Sequence, residues 1–157
     1  MNCIGGEFVK NYRFGFSLKG VAAFILIMIP NIIWMTAPPV NNPIAGNNAP
    51  YPIFDIVVTV SQAIMIALLI IVIPNENRNG KSIKIYIGLA LLCLIGYYAA
   101  WIAYYIGLAY PWMLVSMAVL PSIYFVSVEL WFKNYMALIP SVIFGVIHIA
   151  ITCSNYL

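Results

Sequence analysis

The sequence predicts an all-α, polytopic membrane protein, a bundle of about five transmembrane helices with its amino terminus in the cytoplasm and its carboxyl terminus outside. Its composition is the first reason. Of the 157 residues, 64% are hydrophobic and 7% are charged, whereas a soluble domain carries about 25% charged residues. The second reason is that the apolar residues gather into stretches of ~20 residues, the length that crosses a ~30 Å hydrocarbon layer.

The predicted spans cover about residues 18–35, 53–73, 82–108, 111–132 and 135–152. They form a single transmembrane domain, 18–157. Alternation at period two is absent, which favours helices over barrel strands. The preceding segment, 1–17, mixes charged and aromatic residues, and we expect it to lie at the cytoplasmic membrane surface. Cys3, Cys93 and Cys153 are expected at different depths, so no disulfide is predicted.

The basic residues fix the predicted orientation. Membrane proteins concentrate Lys and Arg in their cytoplasmic loops. The loop 36–52 has five Pro and four Asn but no charge, and residues 109–110 and the tail carry none either. This charge distribution predicts an odd number of spans. We expect the membrane to be the plasma membrane of a bacterium. All seven basic residues then lie on the cytoplasmic side: Lys10, Arg13, Lys19, Arg78, Lys81, Lys84 and Lys133.

Polar side chains in span 2 share one helical face. Asp55, Thr59 and Gln62 stand at i, i+4 and i+7, so they point the same way from the helix. Polar groups in hydrocarbon are costly and normally face another helix or a cavity. The stripe is therefore either a helix contact or a pocket lining, and Asp55 alone also suits the positive end of the helix dipole.

Span 3 carries a comparable aromatic stripe. Tyr97, Trp101 and Tyr104 recur at i, i+4 and i+7. Tyr104 is at a depth that suits an interfacial aromatic belt, whereas a buried phenol or indole N–H needs a hydrogen-bond partner. This stripe therefore either packs against other helices or contacts a ligand.

The other spans add polar groups at a similar depth. Asn31 and Trp34 lie in the outer half of span 1, next to Pro30, which leaves one carbonyl without its helical bond. Ser116 and His148 lie in the outer halves of spans 4 and 5. This convergence predicts a ligand pocket open to the outside, for which the loop 36–52 is either a cover or a plain connection.

Glu129 stands apart from this group, near the inner end of span 4. Lys133 follows it by four residues. Because an acidic residue four positions before a basic one can form an ion pair on a helix surface, we expect Glu129 and Lys133 to pair at the membrane interface.

Catalytic and cofactor signatures are missing, and we expect a protein that is not an enzyme. The one histidine, His148, has too few companions for a metal site, which needs three or four ligands. A serine nucleophile with its base is not suggested, and no glycine-rich loop could cradle a phosphate. No basic stripe is present that could neutralise nucleic-acid phosphates.

In size and span number the chain resembles the tryptophan-rich sensory proteins, also called translocator proteins, five-helix membrane proteins that bind porphyrins and sterols. Their Trp-rich signature between the first two spans is missing here, where Trp34 and the pair Pro38-Pro39 stand alone. The resemblance therefore implies no site residue.

Three functions fit the sequence. The first is binding or transport of a small amphipathic or cationic molecule, with Asp55 as counter-charge and the aromatic groups of span 3 as cation-attracting faces. The second is a structural or accessory subunit whose polar stripes join helices or a partner. The third is a proton- or ion-conducting oligomer. Expected partners are membrane lipids, a small-molecule ligand, and a second copy or another membrane protein.

Overall fold

The computed structural model describes residues 12–75 and 81–157, without the side chains of residues 81 and 82. In this part of the chain, five helices are long and apolar enough to cross a membrane. The predicted all-α membrane bundle is confirmed. The helices are α1 (Leu18–Thr36), α2 (Pro52–Ile71), α3 (Lys81–Tyr105), α4 (Pro111–Phe132) and α5 (Tyr135–Tyr156).

One end of the bundle is tied together by a small sheet. Strand β1 (Tyr12–Phe14), just before α1, pairs antiparallel with strand β2 (Val72–Pro74), just after α2. The amides of Gly15 and Ser17 continue the connection by donating to carbonyls at the end of α2. We call this the basic end, because the described basic side chains are near it: Arg13, Lys19, Lys84 and Lys133.

Asn134 fastens the turn between α4 and α5 to the same end. Its Nδ2 donates to the carbonyl oxygens of Leu68, at 2.9 Å, and Val72, at 3.3 Å. Its Oδ1 accepts from the Ala137 amide at 3.3 Å and so caps α5. A cap satisfies one of the free N–H groups at a helix start. One side chain therefore starts α5 and holds the end of α2.

The structure corrects the carboxyl ends of three predicted spans. Val72–Pro74 is a strand, although most of it was predicted as the end of span 2. Helix α5 continues to Tyr156, beyond the predicted end of span 5 near 152. The position of the segment 1–17 at the membrane surface stays a prediction; residues 12–14 form a strand, and residues 1–11 lie outside the described residues. Helix α3 stops at Tyr105 rather than near 108, because the chain turns at Gly107, whose φ of 93° is left-handed.

Helix α4 is the centre of the bundle. In its most apolar window 56% of the residues are buried in the protein, against 17% to 33% in the other helices. It packs mainly against α3 and α5, and α5 packs against α2. Gly145 allows α5 to approach α4 closely, since a Cβ at this position would lie 3.0 Å from Cβ of Ser122 on α4. The other helices keep broad apolar faces exposed, as lipid contact requires.

Glu129 is fully buried on α4, with 0% of its surface exposed. Among the described residues, neither of its carboxylate oxygens has a hydrogen-bond partner. Ser141 of α5 lies close to it, but the Ser141 hydroxyl is directed to the sulfur of Met65 at 3.2 Å. The predicted interfacial pair with Lys133 is wrong, because α4 ends at Phe132 and Lys133 turns away with a φ of 56°.

Candidate functional site

A cavity of about 220 Å³ lies in the half of the bundle opposite the basic end. All five helices and the loop between α1 and α2 contribute to its wall. We call residues 37–51 the Pro/Asn loop. The lining residues are Ile27, Met28, Asn31, Ile44, Asn47, Val58, Gln62, Tyr97, Trp101, Leu114, Met117, Ala118, Pro121, Phe125, Phe144, His148, Thr152 and Tyr156.

Four helices bring polar groups to the middle of this cavity. Nδ2 of Asn31 donates to the Tyr97 hydroxyl at 2.8 Å, which links α1 to α3. The His148 ring of α5 stacks on Phe144, with ring centroids 5.2 Å apart. Gln62 of α2 lines the cavity, and within the described chain no hydrogen bond joins its side chain to another residue. The wall is thus apolar with a few polar anchors, the usual character of a ligand site.

Trp101 contributes the one indole of the wall. It is 5% exposed, and its ring contacts Tyr97 and Tyr104 edge to face, with centroids 6.2 and 5.6 Å away. Its Nε1 is buried without an acceptor among the described residues. The Tyr97 hydroxyl is close to this N–H, but the two groups lack hydrogen-bond geometry. A buried donor without an acceptor is costly, so this N–H is a natural anchor for an added oxygen or nitrogen atom.

The Pro/Asn loop covers the cavity and is held first by Asn42. Its Oδ1 accepts hydrogen bonds from Nε1 of Trp34, at 2.9 Å, and from the Tyr104 hydroxyl, at 2.8 Å. The Ile44 amide donates to the same Tyr104 hydroxyl at 3.4 Å. Ile44 lies in a short 3-10 turn, Pro43–Gly46, and lines the cavity from above.

The second attachment of the loop is to the end of α5. Nδ2 of Asn47 donates to the Thr152 hydroxyl at 3.0 Å, and Oδ1 of Asn47 accepts from Asn155 at 2.9 Å. The Tyr156 hydroxyl donates to the Pro43 carbonyl at 2.9 Å. The loop is therefore bonded to α1, α3 and α5 through neutral side chains.

The cavity brings together half of the ten residues singled out in the sequence: Asn31, Gln62, Tyr97, Trp101 and His148. Trp34 and Tyr104 are among the other five, and both hold the loop through Asn42 instead of facing the cavity.

The remaining three predicted residues lie elsewhere. Asp55 is exposed near the start of α2, and its Oδ1 accepts from the Ala49 amide of the loop at 3.2 Å. Thr59 is exposed on α2. The Ser116 hydroxyl donates to the carbonyl of Met113 in its own helix at 2.6 Å. No acidic side chain lines the cavity in the described chain, so the counter-charge expected from Asp55 is not in the wall.

Sequence reasoning missed the residues that build the cover. Asn42, Asn47 and Tyr156 were not singled out. The four asparagines in a loop without charges were the available signal, because asparagine can donate and accept at the same time. The helix that each asparagine contacts could not be predicted, because the partners can lie more than 100 positions apart in the sequence, as Asn47 and Thr152 do.

The chain matches no known protein family, no curated protein and no solved structure. The chemistry of the cavity is therefore the ground for a functional proposal.

Proposed function

We propose that this membrane protein binds a small, neutral, amphipathic molecule in the cavity beneath the Pro/Asn loop, for sensing or for transport. The buried N–H of Trp101 is the observation that carries the proposal. Trp101 lines the cavity, and its Nε1 has no acceptor among the described residues, so a ligand carbonyl or ether oxygen that reached this N–H would supply the missing hydrogen bond. Gln62 and His148 would orient further polar atoms of the ligand.

The size of the cavity supports a ligand of about one ring. A cavity of about 150 Å³ in another protein admits benzene, and this one measures about 220 Å³. The ring would contact Trp101 and Phe144, and its polar substituent would reach the Trp101 N–H.

Charge favours a neutral ligand over the cationic alternative. A buried cation needs a paired anion, and Asp55 is bonded to the loop at the surface instead. A cation over an aromatic face in a desolvated site gains about 2 kcal/mol, which is less than the several kcal/mol that burial of an unpaired ion costs. If the Pro/Asn loop is outside the cell, as the basic residues predict, ligands would arrive from that side.

A structural or accessory subunit remains the second candidate, and one observation favours it. Several polar groups join helices of the same chain, among them Asn31 with Tyr97 and Tyr124 with the Ala23 carbonyl at 2.8 Å. Gln62 separates the two candidates, because its side chain faces the cavity without a protein partner. Gln62→Leu should leave stability nearly unchanged, whereas loss of a helix-joining hydrogen bond costs about 1 kcal/mol.

Native mass spectrometry of the gently solubilised protein tests the proposal. We expect a small non-lipid adduct on the wild-type chain. Trp101→Phe removes the anchor but keeps an aromatic ring, and it should lose the adduct. Trp112→Phe is the matched control, because Trp112 is 68% exposed and does not line the cavity.

Two results would count against a ligand site. One is a wild-type chain that carries lipid alone. The other is an adduct that Trp112→Phe loses as readily as Trp101→Phe. A chain recovered only together with another membrane protein would favour the accessory subunit.

A further inference from the structure

A second recess lies on the outside of the bundle, near the basic end. It measures about 280 Å³ and opens between α1 and α3, with α4 as its floor. We call it the basic-end crevice. Small side chains keep it open: Ala22 and Ala23 on α1 face Ala90 on α3, and the two helices touch at few positions.

The interior of the crevice is apolar, because its polar groups are already bonded. The Tyr124 hydroxyl of the floor donates to the Ala23 carbonyl at 2.8 Å. At the far end, the Tyr98 hydroxyl donates to the Leu26 carbonyl at 2.7 Å. The remaining wall is hydrocarbon, as in Leu91 and Val128. Such a recess suits an alkyl chain better than a polar molecule.

The mouth of the crevice has the opposite character. Lys19, in the first turn of α1, is exposed and lines the crevice. Trp131, near the end of α4, lines it too. Tryptophan and lysine at helix ends are typical of the headgroup level of a bilayer.

The Lys19 ammonium lacks a partner of opposite charge in the described chain. The described acidic residues are Asp55, at the opposite end of the bundle, and Glu129, which is fully buried. An anion bound at Lys19 would complete the site, and the hydrocarbon recess beside it selects an anion that carries an alkyl chain.

We propose that the basic-end crevice binds one anionic phospholipid, with an acyl chain between α1 and α3, the phosphate on Lys19 and the glycerol esters beside Trp131. The site is separate from the cavity under the Pro/Asn loop. It rests on the membrane-spanning fold and not on the proposed ligand of that cavity.

The number of lipids that the protein retains tests this binding site directly. The full-length protein is delipidated in detergent and incubated with equal amounts of phosphatidylglycerol and phosphatidylcholine of identical acyl chains, and bound lipid is counted by native mass spectrometry. One lysine near an anionic headgroup contributes about 1 kcal/mol, so the wild type should prefer phosphatidylglycerol about fivefold. Lys19→Gln should abolish the preference.

Two further variants keep the result interpretable. Lys84→Gln is the matched control, since Lys84 is exposed near the same end but does not line the crevice, and it should keep the preference. Ala22→Trp fills the crevice from its exposed edge and should reduce retention of both lipids.

Each of three outcomes would overturn the proposal. The wild type could show no preference for phosphatidylglycerol. Lys84→Gln could lower the preference as much as Lys19→Gln, which would indicate a general surface charge effect. Free oleate could displace phosphatidylglycerol at equal concentration, which would identify a fatty-acid site rather than a phospholipid site.

Discussion

Pro30 deprives the Leu26 carbonyl of its helical hydrogen bond, and a tyrosine from another helix replaces it. The Tyr98 hydroxyl of α3 donates to that carbonyl at 2.7 Å. The missing bond could be predicted from the sequence, because proline has no N–H. The replacement could not, because Tyr98 is 72 positions away from Leu26 and only the packing of α3 on α1 brings them together.

A double-mutant cycle tests this replacement. Tyr98→Phe should lower the free energy of unfolding by about 1 kcal/mol, the scale of hydrogen bonds between membrane helices. In the Pro30→Ala background the backbone N–H of residue 30 can bond to Leu26, so the same change should cost less than half as much. Equal costs in both backgrounds, measured by denaturant unfolding in mixed micelles, would disprove the coupling.

Glu129 shows where local spacing misleads. Its distance of four positions from Lys133 suggested an ion pair, but the helix ends between them and the carboxyl is fully buried without a hydrogen-bond partner among the described residues. A buried polar group without a partner costs about 1 to 3 kcal/mol.

Glu129→Met should therefore stabilise the protein by about 1 kcal/mol or more, since methionine fills a similar volume without polar atoms. Thermal unfolding at one fixed pH is the measurement. Ser127→Ala, two residues away on the same helix, is the control: its hydroxyl donates to the Ile123 carbonyl at 2.7 Å, so this change should not stabilise. A lower midpoint for Glu129→Met would mean that the carboxyl has a favourable partner.

At the level of the elements, hydrophobicity located the helices well and the strands not at all. Val72–Pro74 continues the apolar stretch of α2, so composition cannot distinguish its strand from another helical turn. The strand exists because Tyr12 pairs with Pro74 and Phe14 with Val72, and such long-range pairing leaves no local pattern.

The contact between α1 and α2 depends on a glycine. A Cβ at Gly20 would overlap the carbonyl oxygen of Leu69, whereas a Cβ at Gly88 on α3 would meet nothing within 4 Å. Gly20→Ala should therefore push the helices apart and destabilise the protein by about 1 to 3 kcal/mol. Gly88→Ala should be neutral or slightly stabilising, because alanine is the better helix former. Equal melting temperatures for the two variants would show that the contact is loose.

For the molecule as a whole, the depth of a residue in the bundle was easier to predict than the direction in which its side chain points. A fixed rise of ~1.5 Å per residue placed Asn31, Trp101 and His148 at one level, and the structure has all three on the cavity wall. Asp55 shares a helical face with Gln62, but it lies a turn above the cavity and meets the loop backbone instead. The cover could not be predicted, because it depends on how a loop without regular structure folds back on α3 and α5.

The orientation in the membrane is a prediction at the same scale. In a variant without the native cysteines, Val40→Cys in the Pro/Asn loop should react with a membrane-impermeant maleimide on intact bacterial cells. Asn75→Cys, beside β2 at the basic end, should react only after the cells are opened. Both side chains are exposed, so accessibility reports the side of the membrane. The reverse pattern would refute the cytoplasmic assignment of the basic end.

Thermal unfolding with a matched pair of ligands is the most direct test of a ligand cavity that offers a hydrogen-bond donor. Acetophenone and isopropylbenzene have similar shapes, but only acetophenone carries an acceptor for Trp101. At about 100 times its dissociation constant a ligand stabilises by about 2.7 kcal/mol. Ala118 is buried on the cavity wall, so Ala118→Leu should fill the space. Ala150→Leu adds the same bulk on an exposed face.

Acetophenone should raise the unfolding midpoint of the wild type and of Ala150→Leu by several degrees. It should raise that of Ala118→Leu little, and isopropylbenzene should do less than acetophenone in every case. Equal shifts for the two ligands, or shifts that Ala118→Leu does not diminish, would contradict a binding site in this cavity.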